Sequence, residues 1–174
     1  MKSDKILTHN SFSKKIFDNY FIAPKHGVDI IPHGNYIPFL HIQKDKNKSR
    51  DRLSIPKDRT VLLFFGMIKK VKGLEILLES LNNVVDKNPK VLLVIAGRIW
   101  ENDFSYYQEI IDKNSLSDFC LIHNKFIPHD DVKHYYAASD LVVLPYKRIY
   151  QSGVLMMSLS YEKAVLVSDL EPLT

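Results

Sequence analysis

The sequence predicts an α/β protein with a Rossmann-like parallel sheet and helices on both faces. Three observations support this prediction. The 174 residues, 45% of them hydrophobic, are enough to bury one core. From residue 60 onward, short apolar segments alternate with segments of helical periodicity. The short segments are apolar throughout, which is typical of parallel strands buried on both faces.

The elements of this region follow from composition and from their boundaries. Strands are predicted where β-branched and other apolar residues run together up to a glycine, proline or polar residue, at 61–65, 91–96, 119–122, 141–144 and 164–167. Helices are predicted where apolar residues recur at three- and four-residue spacing, at 74–88, 104–113, 130–138 and 152–161. The carboxyl ends of parallel strands share one rim, where such folds bind ligands.

The first 60 residues do not continue this repeat. A strand at 5–8, a helix at 11–21 capped by Ser11, and an apolar run at 28–31 are expected there. We therefore divide the chain into a short N-terminal remnant and hinge (1–42), a polar basic linker (43–59) and the parallel-sheet domain (60–174). Because the chain stops directly after a strand, we expect this last domain to be truncated at its C-terminus.

Charge and cysteine content restrict the function classes. Residues 1–60 carry 12 Lys/Arg against 6 Asp/Glu, with the excess concentrated in 44–59. Acidic residues are interleaved there and aromatic residues are missing, so a solvated linker is favoured over a nucleic-acid-binding arm. Cys120 is the one cysteine and lies in an apolar run, which predicts a buried inert thiol. No apolar run reaches membrane-spanning length and no signal peptide is evident, so we expect a cytoplasmic protein.

The segment 64–73 carries the strongest chemical signal. An apolar strand ends at Gly66, three lysines follow (Lys69, Lys70 and Lys72), and Gly73 precedes a helix. Cations and exposed amides at a helix start favour a phosphate. The alternative is an ordinary solvated loop with surface lysines.

Five motifs in order and spacing closely resemble family 4 of the GT-B glycosyltransferases. They are Ile31-Pro32-His33-Gly34-Asn35-Tyr36, the loop 64–73, Ala96-Gly97, the run 138–146, and Gln151-Ser152-Gly153-Val154-Leu155. The resemblance implies a fragment that covers the end of the acceptor-binding N-terminal domain and most of the C-terminal, donor-binding Rossmann-like domain. It implies transfer of a sugar from a nucleoside-diphosphate sugar to a glycan or lipid-linked acceptor, as in polysaccharide biosynthesis.

The resemblance also implies site residues. It assigns donor-diphosphate binding to Gly66, Lys69, Lys72, Ser152, Gly153 and Val154. A wider donor pocket would include His33, Arg98, Tyr146 and Arg148. For Ser152-Gly153 a simple helix cap is the alternative, and for His33 a plain turn residue. Positive side chains and helix ends neutralise the diphosphate in this family, so no metal and no other cofactor are expected.

The sequence departs from the family pattern at identifiable positions. Many relatives carry two glutamates eight positions apart around the last helix, and these positions fall on Ile149 and Met157, which cannot accept strong hydrogen bonds. Glu162 and Ala164 stand where relatives usually have Gly and Pro. The catalytic residue is therefore unassigned, as are the nucleotide, the sugar and the stereochemistry of transfer.

Other functions compete with this interpretation. The chain could be a non-catalytic truncated copy, or one piece of a split enzyme that needs a partner chain for the missing domain. A peripheral contact with the inner face of the membrane is a further expectation for an enzyme of this kind. A receiver-like or flavodoxin-like domain would need an acidic cluster or flavin loop, which the strand ends lack. Nucleic acid is not expected as a partner. We expect the isolated fragment to retain some nucleotide affinity without turnover.

Overall fold

The computed structural model describes residues 3–22, 24–100 and 103–173. Its strands are β1 (Ile6–Thr8), β2 (Val28–Ile30), β3 (Thr60–Phe65), β4 (Val91–Ala96), β5 (Cys120–His123), β6 (Leu141–Leu144) and β7 (Ala164–Val167). Its α-helices are α1 (Ser11–Tyr20), α2 (Lys46–Arg52), α3 (Leu74–Lys87), α4 (Ser105–Lys113), α5 (His129–Ala138) and α6 (Gly153–Ser160). The predicted elements after residue 60 are all present, with their ends shifted by at most one residue.

The main sheet is parallel throughout and has the strand order β5-β4-β3-β6-β7. The order reverses between β3 and β6, since the chain moves outward in one direction to β5 and then returns to the other side of β3. A crevice opens at such a reversal, beyond the carboxyl ends of the strands. This confirms the predicted fold class and places the ends of β3 and β6 beside that crevice.

Each central strand is buried on both faces because its alternate residues enter different cores. On one face, Leu63 and Phe65 of β3 pack in a cluster with Tyr135 and Tyr136 of α5. On the other face, Phe64 joins a cluster formed with α3 and α4. Continuous apolar strands are needed for this arrangement, which explains why the sequence pattern predicted it.

The N-terminal elements form a separate two-stranded parallel sheet, in which β1 pairs with β2. The prediction that Ser11 caps α1 is wrong. Asn10 is the N-cap, because its backbone is extended and its Oδ1 accepts from the Ser13 amide at 2.7 Å. The amide nitrogen of the same side chain donates to the carbonyl of Tyr150 at 2.6 Å. Asn10 therefore connects the N-terminal layer to the loop that precedes α6.

The basic segment 43–59 is not a solvated linker, and this prediction is wrong. Asp45 caps α2 by accepting from the Lys48 amide at 2.9 Å, and α2 packs against α5. Arg50 is only 3% exposed and donates to Asp140 at 2.9 Å. A buried cation with a carboxylate partner fixes α2 to the domain, so the basic excess of this segment is partly structural.

Within the described ranges, no helix combines the length and apolarity needed to cross a bilayer.

Candidate functional site

Two glycines bring the ends of β3 and β4 together at the rim of the crevice. Gly97 has φ +149°, and a Cβ placed there would lie 2.0 Å from the carbonyl oxygen of Gly66. Gly66 has φ +97°, and a Cβ placed on it would lie 3.1 Å from a methyl group of Val154 at the start of α6. Only glycine allows backbone so close to these neighbours. Gly66 and Val154, predicted from distant parts of the sequence, therefore lie side by side.

A third glycine positions the lysine-bearing turn. Gly73 has φ +67°, and a Cβ there would lie 1.9 Å from the carbonyl oxygen of Pro145. The amide of Lys147 also donates to the carbonyl of Val71 at 2.9 Å. The 3₁₀ turn Lys70–Lys72 consequently lies directly against the loop that follows β6.

Lys72 and Ser152 meet through the hydroxyl group of Tyr146. The ammonium of Lys72 donates to the phenolic oxygen at 2.8 Å and lies 4.0 Å from the centre of the ring. The hydroxyl of Ser152 lies 3.4 Å from the same phenolic oxygen and accepts from the Leu155 amide at 3.1 Å. The predicted convergence of Lys72 with the Ser152-Gly153 turn is thus present in the structure. Ser152 also acts as the helix cap that was its alternative role.

The electrostatics of Lys72 suit an anion. Burial, followed by the charge of Lys69, lowers the pKa of Lys72 to about 8. None of the ion pairs among the described residues includes Lys72. A partly buried cation without a carboxylate is unfavourable, and a bound anion would relieve that penalty. The amides that open α6 would add partial positive charge beside it.

Lys69 has a different environment from the one predicted. Its ammonium lies 4.3 Å from the centre of the Trp100 ring, in cation–π geometry. It still acts on Lys72 electrostatically, since its charge contributes to the lowered pKa there. The structure therefore places one predicted lysine at the start of α6 and holds the other against an aromatic side chain.

His33 reaches the same helix start from the N-terminal layer. A Cβ on Gly153 would lie 3.1 Å from the hydroxyl of Tyr36 and 3.9 Å from Nε2 of His33. Nδ1 of His33 lies 2.6 Å from the carbonyl oxygen of Gly34 and so donates to it. In the neutral ring this leaves Nε2 as the acceptor that faces α6. His33 therefore lies beside the start of α6, and its place in a donor pocket stays a prediction.

A cavity of about 470 Å³ opens beside Gly66 and Gly97. Arg98 lies on its wall, as does Trp100, and the ring of Phe126 is 76% exposed there. Neither aromatic residue was predicted as part of the site. Their positions offered a signal, because each follows four residues after a predicted strand end, on the rim where such folds bind ligands.

The remaining predicted site residue, Arg148, and the two positions of the family glutamates make fewer specific contacts. Arg148 is exposed on the loop after β6, and no hydrogen bond or ion pair of its side chain occurs within the described part of the chain. Ile149 and Met157, which replace the family glutamates, pack partly buried against the core. Across the described residues, no group of His, Cys, Asp and Glu side chains has the geometry to hold a metal ion.

Comparison with known proteins agrees with this architecture. The chain is 25% identical over 146 residues to the lipopolysaccharide 1,2-N-acetylglucosaminetransferase of Salmonella typhimurium, covering 81% of this chain and 37% of that protein. It is 28% identical over 138 residues to the GDP-mannose:glycolipid 4-beta-D-mannosyltransferase of Xanthomonas campestris, covering 79% of this chain and 36% of that protein. The chain thus spans just over a third of the length of these two relatives.

A solved structure and a family profile extend the comparison. The fold superposes with a TM-score of 0.81 on Anabaena Alr3699/HepE in complex with UDP and glucose, at 19% identity, covering 96% of this chain and 45% of that one. Residues 45–173 match the family described as Glycosyl transferases group 1. This match begins at the cap of α2 and includes every element of the main sheet. The chain therefore belongs to the group 1 glycosyltransferases, and its sheet is the Rossmann-like fold of the C-terminal GT-B domain.

Proposed function

We propose that this chain is the donor-binding part of a glycosyltransferase that transfers a sugar from a nucleoside-diphosphate sugar to a glycan or lipid-linked acceptor. The observation that carries the proposal is the convergence of Lys72, Tyr146 and Ser152 at the carboxyl ends of β3 and β6. The names of the two relatives, which refer to a lipopolysaccharide and a glycolipid, support this acceptor class.

In this proposal the diphosphate of the donor lies between Lys72 and the start of α6. Sugar transfer leaves negative charge on the departing diphosphate, and fixed positive groups there would stabilise that charge. Lys72 supplies a full charge and the amides of Gly153 and Val154 supply oriented dipoles. Lys69 adds a second charge if its ammonium leaves the Trp100 ring. In this proposal these groups stabilise part of the negative charge on the leaving group, and no metal ion is invoked.

The nucleoside would occupy the cavity beside Gly66 and Gly97. The exposed ring of Phe126 offers a stacking surface for a planar base, and Arg98 offers a donor to its polar edge. The cavity adjoins the diphosphate position because Gly66 contacts both regions. This arrangement supports a nucleotide rather than an isolated phosphate as the ligand.

Calorimetric titration of the 174-residue chain with UDP, GDP and ADP tests the proposal. At pH 7 we expect one of the three to bind, and Lys72→Gln to weaken that binding by about tenfold or more, since a hydrogen bond to a charged group is lost. Lys70→Gln is the matched control, because Lys70 is an exposed lysine of the same turn. No affinity for any of the three nucleotides in folded protein would refute the proposal, as would equal losses in the two variants.

The alternative is that the chain binds nucleotide without catalysis, alone or with a partner chain. Apolar side chains of the small N-terminal sheet are exposed, among them Leu7 and Ile30 at 58% and 41%, which favours a further protein layer on that sheet. Because no turnover is expected of this chain alone, the alternative is tested after the chain is joined to an acceptor-binding domain. Nucleotide affinity with no transfer of sugar by the joined protein would support it. Transfer of sugar by the joined protein would exclude it.

A further inference from the structure

We infer that Tyr146 is a positioning residue, whose hydroxyl group holds the Lys72 ammonium beside the start of α6 and leaves one hydroxyl hydrogen available for a bound oxyanion. The ligand class rests on the proposed function, whereas the contact between Tyr146 and Lys72 does not. Sequence analysis suggested Tyr146 only as a residue lining the donor pocket. The structure gives it a role between two other site residues.

The direction of the hydrogen bond between Tyr146 and Lys72 is fixed by chemistry. An ammonium group has three donors and no acceptor, so the phenolic oxygen must accept at 2.8 Å. A phenol oxygen is a neutral acceptor and leaves the positive charge of Lys72 uncompensated. Tyr146 therefore orients the cation without neutralising its charge. A carboxylate in the same place would neutralise it. The ammonium remains available to an anion.

The hydroxyl hydrogens can be counted. Tyr146 and Ser152 carry one each, and the 3.4 Å contact between their oxygens uses only one of the two. The Ser152 oxygen already accepts from the Leu155 amide, and the Tyr146 oxygen already accepts from Lys72. Within the described residues, the second hydrogen has no acceptor. Whichever hydroxyl donates to the other, one O–H remains as a donor next to the ammonium.

Packing keeps this arrangement in one place. Tyr146 is 2% exposed and Ser152 is 5% exposed, so neither side chain can turn away without opening the core. The preceding residue, Pro145, lies against Gly73, which follows Lys72 and is the N-cap of α3. The ammonium and its acceptor thus lie on two segments that are in direct backbone contact. A donor pair fixed in this way suits a phosphate oxygen, which accepts from several donors at once.

Tyr146→Phe isolates the proposed contact. The variant keeps the aromatic ring, and with it the cation–π contact, and removes only the oxygen. Tyr150→Phe is the matched control, since Tyr150 is an exposed tyrosine of the same loop and no hydrogen bond of its hydroxyl occurs among the described residues. The pKa of the Lys72 side chain is measured by heteronuclear NMR in the free protein. Inorganic pyrophosphate is then titrated calorimetrically at pH 7.

We expect Tyr146→Phe to lower the pKa of Lys72 further, because the charged form loses its acceptor. The shift should be about half a unit to one unit, which corresponds to one net hydrogen bond. Pyrophosphate affinity should fall about tenfold, because the Lys72 ammonium is no longer held beside the start of α6 and its hydrogen bond to the ligand weakens. Tyr150→Phe should change neither quantity. An unchanged Lys72 pKa in folded Tyr146→Phe protein would overturn the inference.

A second measurement covers the case in which Tyr146→Phe does not fold. In the otherwise wild-type chain, Lys72→Met should move the ¹³Cζ resonance of Tyr146, and Lys70→Met should leave it in place. Equal resonances in the two variants would overturn the inference as well. If these shifts occur but neither pyrophosphate nor any nucleotide binds, the positioning role stands and the proposed function fails.

Discussion

Two buried or partly buried cations, Arg50 and Lys72, lie at opposite ends of the main sheet and differ in their partners. At the amino ends of β3 and β6, Arg50 is buried but paired with Asp140, which also accepts from Lys46 and from the Val61 amide. At the carboxyl ends, Lys72 is partly buried, and among the described residues its ammonium contacts the neutral oxygen and the ring of Tyr146 but no carboxylate. The same strands connect the two environments. Arg50 is neutralised by a carboxylate of the chain, whereas Lys72 has no carboxylate partner among the described residues.

Because of this difference, we expect substitutions at the two ends of the sheet to affect different quantities, the free energy of unfolding at one end and ligand affinity at the other. A satisfied ion pair contributes to the fold only while both members are present, because removal of one leaves the other buried and unpaired. An unsatisfied cation lowers stability and gains free energy when a ligand neutralises it. We therefore expect substitutions at the amino ends to change mainly the free energy of unfolding. Substitutions at Lys72 should change mainly ligand affinity.

The largest effect is expected for Asp140→Ala. The free energy of unfolding should fall by about 3 kcal/mol, because the guanidinium of Arg50 loses its carboxylate while still buried. Urea denaturation measures the loss. Asp51→Ala is the control, since Asp51 is an exposed residue of α2 that pairs with exposed Lys57 at 3.1 Å, and such pairs contribute at most about 1 kcal/mol. Equal losses in the two variants would contradict the contrast between the ends of the sheet.

A smaller effect is expected at the other end for Gly97→Ala. A Cβ there would overlap the Gly66 carbonyl oxygen in a backbone conformation that favours glycine, so we expect a loss of about 2 kcal/mol. Gly34→Ala is the control, because a Cβ added to Gly34 would meet no atom within 4 Å. Thermal or urea unfolding compares them. A loss in Gly34→Ala as large as that in Gly97→Ala would show that the strand ends are not closely packed at this rim.

The smallest effect is the pH dependence that Lys72 imposes on stability. Its pKa in the folded state is about 8, below the 10.5 of the ordinary side chain, so between these values the unfolded chain binds more protons. Stability therefore rises with pH across this interval. After discounting for solvent screening, the gain is on the order of 1 kcal/mol. The difference in unfolding free energy between wild type and Lys72→Met, measured at pH 7.5 and pH 10.5, reports it. A difference independent of pH would contradict the unpaired-cation description.

The parts of the fold that follow from local pattern were predictable. Strand β4 and strand β6 were predicted with their observed bounds, because an uninterrupted apolar run has few alternatives in an α/β sheet. The proximity of Lys72 to Ser152 also followed, since the carboxyl ends of parallel strands share one rim. Helix α2 could not be predicted from local sequence pattern. Its polar composition is that of a linker, and the pairing of Arg50 with Asp140 joins residues 90 positions apart.

The site itself was predictable only in outline. The sequence marked the lysines and the start of α6, but gave no sign that Tyr146 would be buried between them. It also gave no sign that Lys69 would lie over Trp100. Both arrangements depend on side-chain packing between loops that are far apart in sequence. Glu162 adopts φ 58°, a backbone conformation that favours glycine, which is the residue that the family resemblance led us to expect at this turn.

The short side chain of Asn10 forms hydrogen bonds with two segments that are far apart in sequence. Its oxygen holds the first turn of α1, and its nitrogen holds the carbonyl of Tyr150, four residues from Tyr146. A planar amide cannot stretch, so α1 and this loop are tethered at a fixed separation. Any sliding of the N-terminal layer over the main sheet must break this tether or pull the loop with it. A displacement of α1 that keeps both hydrogen bonds of Asn10 would therefore also move the loop between β6 and α6.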